Sequence, residues 1–324
     1  MPVLKSSSYK APFLHLNRHV NTVAHALLRH PRLAYQRERL ETTDGDFVDL
    51  DFSCVPQPEK KSVLVIIHGL EGNYKSGYVK GMIKAANADG LDGVVLNFRG
   101  CSGEDNKRFG SYHSGHTEDV ELIVQHLKEY KGYDRIYLVG YSLGANVLLK
   151  YLGEREEDNV TASVAISAPC NLQDCAIQLE KWYNKAYMIT FLRSLRKKVK
   201  AKCAAFPNYP INRKAALKAK NFKDFDDEVT APSHGFKDAV DYWTQSSCTQ
   251  FLHNIKSPTL LINALDDPFL TPSCFPYEQA KSSEYLFLET PKKGGHVGFV
   301  SSLFLGGVYW HEKRVLEFLS EQPS

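Results

Sequence analysis

Apolar residues fall along this 324-residue chain in two alternating rhythms: short unbroken runs, and longer stretches with a period of three to four. The runs at 62–67 (SVLVII), 93–98 (GVVLNF), 136–139 (IYLV), 161–166, 259–263 (TLLIN) and 285–288 (YLFL) are aliphatic and largely β-branched. Runs this short and this apolar predict strands buried on both faces of a parallel sheet. Between them, 77–88 reads as a helix, and 117–130 as an amphipathic helix with Val120, Ile123, Val124 and Leu127 on one face. A last helix is expected over 310–319. Near the start, 37–41 and 47–52 flank Asp44-Gly45-Asp46, a hairpin signal. Strand and helix alternating this often predict an α/β fold, a mostly parallel central sheet flanked by helices.

The alternation breaks between 169 and about 250. From 171 to 223 there are thirteen Lys or Arg against two acidic residues, Asp174 and Glu180. Inside this stretch Met188, Leu192, Leu195 and Val199 form a helical stripe, with Arg193, Arg196, Lys197, Lys198 and Lys200 on the other faces. The expected organisation is an N-terminal arm (1–34), a core from 35–169 and 251–324, and an inserted helical cap at 170–250. The basic helix has two readings. Either its stripe packs on the body and the cations are simply solvated, or the helix makes peripheral contact with anionic membrane lipid or an anionic substrate.

Composition narrows the class. Hydrophobic content of 43% and charged content of 24% are those of an ordinary globular protein, and a formal charge of +3 is too small to argue for nucleic acid. Seven cysteines, odd in number and without a Cys-x-x-Cys pair, point to reduced thiols in a cytoplasmic setting rather than to disulfides or zinc. Asn17, Arg18, His19, Asn21 and Thr22 interrupt the N-terminal apolar residues, so neither a signal peptide nor a membrane span is expected there.

The chemistry is signalled at 138–148, LVGYSLGANVL. A buried run ends, a serine stands between two glycines, and the apolar period then becomes helical. A strand-to-helix turn this tight strains the serine backbone, and flanking glycines remove side chains that would clash. The hydroxyl of Ser142 then stands exposed at the sheet edge, with the Leu143 amide at a helix N-terminus beside it. A serine hydroxyl needs a base within hydrogen-bond reach and a third group to orient that base. Sheets with such an elbow present serine, acid and histidine in that chain order. Here Asn263-Ala264-Leu265-Asp266-Asp267-Pro268 follows one predicted strand and Lys293-Gly294-Gly295-His296 follows the next. Asp266 and Asp267 are both candidates for the acid. His296 is the one histidine placed after the last strand among glycines. The strand at 62–67 runs into His68-Gly69-Leu70, which makes the Leu70 N–H a second candidate oxyanion donor and His68 a structural residue. Arg99, Tyr112, His113 and Ser114 lie on loops beside this site, where contact with substrate and a purely structural role are equally open.

Several motifs together resemble one family. They are HGLEGN (68–73), NFRGCSGE (97–104), YHSGHTEDV (112–120), GYSLGAN (140–146), NALDDPF (263–269) and GGHVGF (294–299), with YKAPFLHLNRHVNT (9–22) resembling that family's opening segment. The chain is similar to the α/β-hydrolases of the YheT/embryogenesis-associated EMB8 type, over roughly 9–319. The resemblance implies Ser142 as nucleophile, His296 as base and Asp267, by its offset from Ala264, as acid. It implies no cofactor and no metal, and it places the chain nearer the soluble bacterial members than the membrane-anchored eukaryotic ones. The expected activity is cleavage of short- to medium-chain acyl esters or lipids through an acyl-enzyme. An alcohol acyltransferase using the same residues and a non-catalytic binding protein are the alternatives.

Overall fold

The computed structural model describes residues 3–29, 31–56, 61–156, 159–301 and 307–322. Eight strands form one sheet: β1 (Gln36–Glu41), β2 (Phe47–Ser53), β3 (Ser62–Ile67), β4 (Asp92–Asn97), β5 (Arg135–Tyr141), β6 (Ala162–Ile166), β7 (Thr259–Ile262) and β8 (Leu286–Glu289). Their spatial order is β1-β2-β4-β3-β5-β6-β7-β8. β1 pairs antiparallel with β2, and β2 with β4. From β4 to β8 every pairing is parallel.

Period-two geometry divides the core. On β3, Val63, Val65 and Ile67 point into one apolar layer and Leu64 and Ile66 into the other, and all five are fully buried. The first layer is closed by the helices Glu118–Gln125 and Leu143–Glu154. The second is closed by Gly77–Ala88 and Trp310–Ser320. The helix expected over 117–130 is interrupted. It is regular only over Glu118–Gln125 and widens into a single π-type turn at His126–Tyr130. That turn keeps Leu127 buried while the His126 Nε2 meets the Glu38 carboxylate at 2.8 Å. A tertiary contact across to β1 competes there with helical regularity.

Between β6 and β7 the chain forms the helices Leu172–Leu179, Lys185–Ala205, Arg213–Lys218, Phe222–Phe225, Ala231–His234 and Ala239–Ser246. Met188, Leu192 and Val199 are buried, and with the half-buried Leu195 they pack against Phe109, Ala216, Phe225, Val229 and Phe269. The apolar stripe of the basic helix is therefore occupied within the protein. This corrects the interfacial reading of that stripe. Two of the five cations placed on its outer faces are also turned inward: Arg196 donates to the Ala219 carbonyl, and Lys198 to Glu71.

The N-terminal segment carries a helix, Arg18–Leu28, capped by the Asn17 side chain, which accepts from His19 and Val20 N–H at 2.9 and 3.3 Å. It lies against the loop after β8, where its polar side chains matter for the site. Among the described residues no helix is long and apolar enough to cross a membrane.

Candidate active site

Ser142 sits between β5 and the helix Leu143–Glu154 at φ +52°, ψ −118°, a conformation that L-residues avoid. Its N–H donates to the Ile166 carbonyl of β6 at 2.9 Å, and its carbonyl accepts from Ala145 and Asn146. The two glycines are explained by crowding. A Cβ on Gly144 would lie 2.2 Å from the Ile67 carbonyl oxygen, and one on Gly140 would lie 2.6 Å from the Gly144 carbonyl oxygen. The helix is driven so close to the end of β3 that only glycine fits.

Asp267 and His296 reach Ser142 from the turns after β7 and β8. Asn263, directly after β7, accepts from Ala168 N–H at 2.8 Å and donates to the Cys274 carbonyl at 2.7 Å, fixing the turn that follows. Asp267, whose side chain is fully buried, accepts from Phe269 N–H at 2.9 Å and meets the His296 Nδ1 at 2.8 Å. The His296 Nε2 lies 2.8 Å from the Ser142 Oγ. Because an ionised carboxylate only accepts, Nδ1 carries the proton and Nε2 is left as acceptor for the serine hydroxyl. Of the two adjacent carboxylates, Asp267 is the one that reaches His296. Asp266 instead accepts from Gly295 N–H at 3.0 Å, bracing the loop, and burial raises its pKa.

The loop that presents His296 is held by distant side chains. His296 N–H donates to the Thr22 hydroxyl at 2.9 Å, Val297 N–H to the Ser167 hydroxyl at 2.9 Å, and Val300 N–H to the Asn21 side chain at 3.2 Å. Tyr9 donates to the Val300 carbonyl at 2.9 Å. Six described non-glycine residues have positive φ, and five of them, Glu71, Ser142, Ser167, Val297 and Phe299, lie in the turns converging here. Sequence reasoning misses Tyr9, Asn21, Thr22 and Ser167. Asn21 and Thr22 are visible in the sequence only as polar residues in the N-terminal helix, which does not say what they bond.

On the opposite side, β3 runs into His68, which is fully buried. Its Nδ1 contacts the Gly69 carbonyl at 2.8 Å and its Nε2 accepts from Phe98 N–H at 3.1 Å, while burial lowers its pKa to about 4. It is a neutral brace. A Cβ on Gly69 would lie 3.2 Å from the Ser142 Cβ, so the chain passes beside the serine just before Leu70. Leu70, Ser142, Leu143 and His296 line one cavity of about 180 Å³ under the β6–β7 helices. Its walls are largely apolar, with Leu172, Leu179, Phe191 and Phe269 among them, and the Phe269 ring lies 4.3 Å from that of His296. Tyr112, His113 and Ser114 also line it. Arg99 does not: its guanidinium is held by Asp119 at 2.7 and 2.9 Å and by Asp44 at 2.7 Å, so its role is structural. Two of the seven free cysteines, distant in sequence, meet beside the site: the Cys175 Sγ in the cavity wall lies 3.3 Å from the Cys274 Sγ. Among the described residues no cluster of His, Cys, Asp or Glu is arranged to hold a metal ion.

An elbow serine, a histidine and a buried carboxylate at the carboxyl ends of a parallel sheet define a class. The chain belongs to the α/β hydrolase fold family, whose sequence profile matches residues 62–302. Within it the chain belongs to the YheT/ABHD3-like group. It is 39% identical to YheT of Escherichia coli (strain K12) over 94% of this chain and 90% of that protein. It is 28% identical to the phospholipase ABHD3 of Homo sapiens over 85% of this chain and 69% of that protein. Among solved structures, the esterase Pf2001 of Pyrococcus furiosus superposes with a TM-score of 0.61 over 91% of this chain and 98% of that one, at 18% identity, a likeness of fold.

Proposed function

We propose that this chain is a serine carboxylic-ester hydrolase acting through an acyl-enzyme. The observation that carries the reading is the buried relay from the Ser142 Oγ to the His296 Nε2 and from the His296 Nδ1 to the Asp267 Oδ2, each at 2.8 Å. Ser142 attacks the ester carbonyl as His296 takes its proton, and Asp267 holds the imidazole and stabilises its positive charge. The Leu70 and Leu143 N–H groups receive the oxyanion. His296 then protonates the leaving alcohol, and water, deprotonated by the same imidazole, releases the acid. No metal or organic cofactor enters these steps.

The apolar cavity beside Ser142 supports a short- to medium-chain acyl ester or a lipid as substrate, as does the name phospholipase carried by the relative ABHD3. In this reading residues 170–250 act as a cap over a body formed by 35–169 and 251–324, with 1–34 as an arm that supports the histidine loop. Seven free cysteines support a reducing, cytoplasmic setting. The exposed cations Arg193, Lys197 and Lys200, with the 85%-exposed Trp182 before the start of their helix, support peripheral contact with anionic lipid.

The test is a panel of p-nitrophenyl esters of graded acyl length, run with the parent protein and with Ser142→Ala. The parent is expected to turn over esters and to be labelled by a fluorophosphonate, whereas the alanine variant keeps its fold and loses both. Retained turnover in Ser142→Ala would remove the assignment. Formation of an ethyl ester when ethanol is added would move the reading to acyl transfer onto an alcohol.

A further inference from the structure

The peptide that follows Leu70 is held in an unusual way. Glu71 has φ +57°, outside the region its side chain favours, and such strain persists only where the surroundings over-determine it. Its N–H donates to the Tyr112 hydroxyl at 2.8 Å, and that hydroxyl donates back to the Glu71 Oε1 at 2.9 Å. The remaining partners of the carboxylate come from the long β6–β7 helix, Lys185–Ala205. The Ser194 hydroxyl donates to the Oε2 at 2.5 Å, and the Lys198 Nζ donates to the Oε1 at 2.7 Å and to the Cys101 Sγ at 3.0 Å. Burial disfavours the charge on Lys198, yet the contacts with Cys101 and Glu71 outweigh it and its pKa is raised. The ring of Tyr112 is stacked on Phe98 at 4.8 Å, and Phe98 in turn meets the buried His68 edge-on at 4.8 Å. One carboxylate thus joins the cap helix to the rigid end of β3.

We propose that Glu71 is a positioning residue by which cap closure assembles the oxyanion site: Ser194 and Lys198 hold its carboxylate, and the carboxylate with Tyr112 holds the strained 70–71 turn. This rests on the assignment of the Leu70 N–H as an oxyanion donor. With the cap closed the turn is fixed and the donor stays on station. With the cap lifted, Glu71 loses the Ser194 and Lys198 contacts and the strained turn is free to relax. Ester cleavage is then coupled to a closed cap, and idle hydrolysis by an open site is suppressed.

Lys198 is half-buried and Glu71 well covered, so the test uses near-isosteric changes. In Glu71→Gln and Lys198→Met, kcat for p-nitrophenyl butyrate should fall about tenfold to a hundredfold, short of the roughly 10²–10³ lost with a whole oxyanion donor, while KM moves less than threefold. The double variant should be no slower than the slower single one, because both break the same contact. Lys198→Arg, which keeps a cation within reach, should retain at least half of kcat, and Lys185→Met, at an exposed position of the same helix, should be unchanged. A purely structural role is separated by an aliphatic trifluoromethyl ketone, whose tetrahedral adduct needs the oxyanion donors. Its affinity per titrated active site should fall in step with kcat/KM, while that of the product carboxylic acid stays constant. Two results overturn the proposal: kcat within twofold of the parent in both single variants, or losses that follow the titre of folded sites with unchanged ketone affinity. Either leaves the Ser142 reading standing provided Ser142→Ala is inactive; activity in Ser142→Ala removes both.

Discussion

The floor of the site and the helices above it are held in place by different means. On the floor, backbone does the positioning: Gly144 touches the end of β3, Ser142 is forced to positive φ, and the serine hydroxyl has one place to go. In the cap, side chains do it: a carboxylate held by Ser194 and Lys198, an apolar stripe seated among Phe109, Phe225 and Phe269, and a buried Asp226 accepting from Thr230 at 2.5 Å and Trp243 at 2.8 Å. Steric positioning is rigid and has no intermediate setting, whereas side-chain positioning is adjustable by charge and protonation.

The sharpest break of this contrast is a methyl group placed on each side. Gly144→Ala puts a Cβ 2.2 Å from a main-chain oxygen that cannot retreat without tearing β3 from β5. Its expected cost is above about 3 kcal/mol, the range of severe core lesions, with turnover lost. Gly235→Ala, in the cap at φ +78° with open space around it, should cost only the left-handed penalty of about 1–2 kcal/mol and leave turnover within threefold. Urea unfolding and ester assays of the two variants decide it. Comparable stability of the pair would show that the floor is not sterically determined.

Next in size is the choice of carboxylate. Asp267→Asn removes the acceptor that sets the His296 tautomer, and the equivalent change in the serine-protease triad lowers kcat about 10⁴-fold. Asp266→Asn removes a charge but keeps an amide oxygen that can accept from Gly295 N–H, and it should lower kcat by no more than tenfold. The reverse ranking in kcat would reassign the acid.

The same division explains which parts of the site are legible in the sequence. Ser142, Leu143 and the glycines around them fall within five consecutive residues, so a local pattern announces them even though what crowds Gly144 is the distant Ile67 carbonyl. The order of Asp267 and His296 is readable because each directly follows a strand. The choice of Asp267 over Asp266 follows from the family resemblance and not from the strand pattern, since it turns on which carboxylate faces the histidine. Thr22, Asn21 and Ser167 brace the His296 loop from 274, 279 and 130 residues away, and no local signal reports such pairs. Lys198 reads as one cation among many because its partner, Glu71, is 127 residues distant. Arg99 stands out in the sequence as a charge beside the site, but in the fold Asp119 and Asp44 occupy its guanidinium.

A third, smaller effect belongs to the cap alone. Burial raises the Asp226 pKa to about 7, against roughly 3.9 in an unfolded chain. Between those values the folded protein holds a proton that the unfolded chain has released, so stability falls as pH rises from about 4 to 7 and is flat outside that window. The decline amounts to about 2–4 kcal/mol at most. Asp226→Asn has no proton to lose and can still accept from the Trp243 indole. Its unfolding free energy, followed by urea titration from pH 4.5 to 8, should lack that decline, whereas kcat at pH 8 should change less than threefold. Parallel curves for the parent and the variant would show that Asp226 is ionised throughout.

The smallest expected effect on catalysis separates the inner from the outer cations of the same helix. Lys198 and Arg196 are turned inward and bonded, while Arg193, Lys197 and Lys200 are exposed with no ion pair among the described residues. A helix that has spent its apolar stripe on the cap interior cannot lie in a bilayer, so any membrane contact must come from these cations and from apolar side chains such as Trp182 and Ile189, 85% and 57% exposed. Charge contributes roughly 1 kcal/mol per cation near an anionic surface and is screened by salt. Changing Arg193, Lys197 and Lys200 to Gln should therefore leave turnover of a dissolved ester within twofold. It should weaken co-sedimentation with vesicles rich in anionic lipid by about a hundredfold at low salt, with the difference shrinking as salt is added. Lys198→Met should do the opposite, slowing turnover while leaving vesicle binding intact. Equal, salt-insensitive partitioning of the parent and the triple variant would remove the membrane role and leave the outer cations as a solvated face.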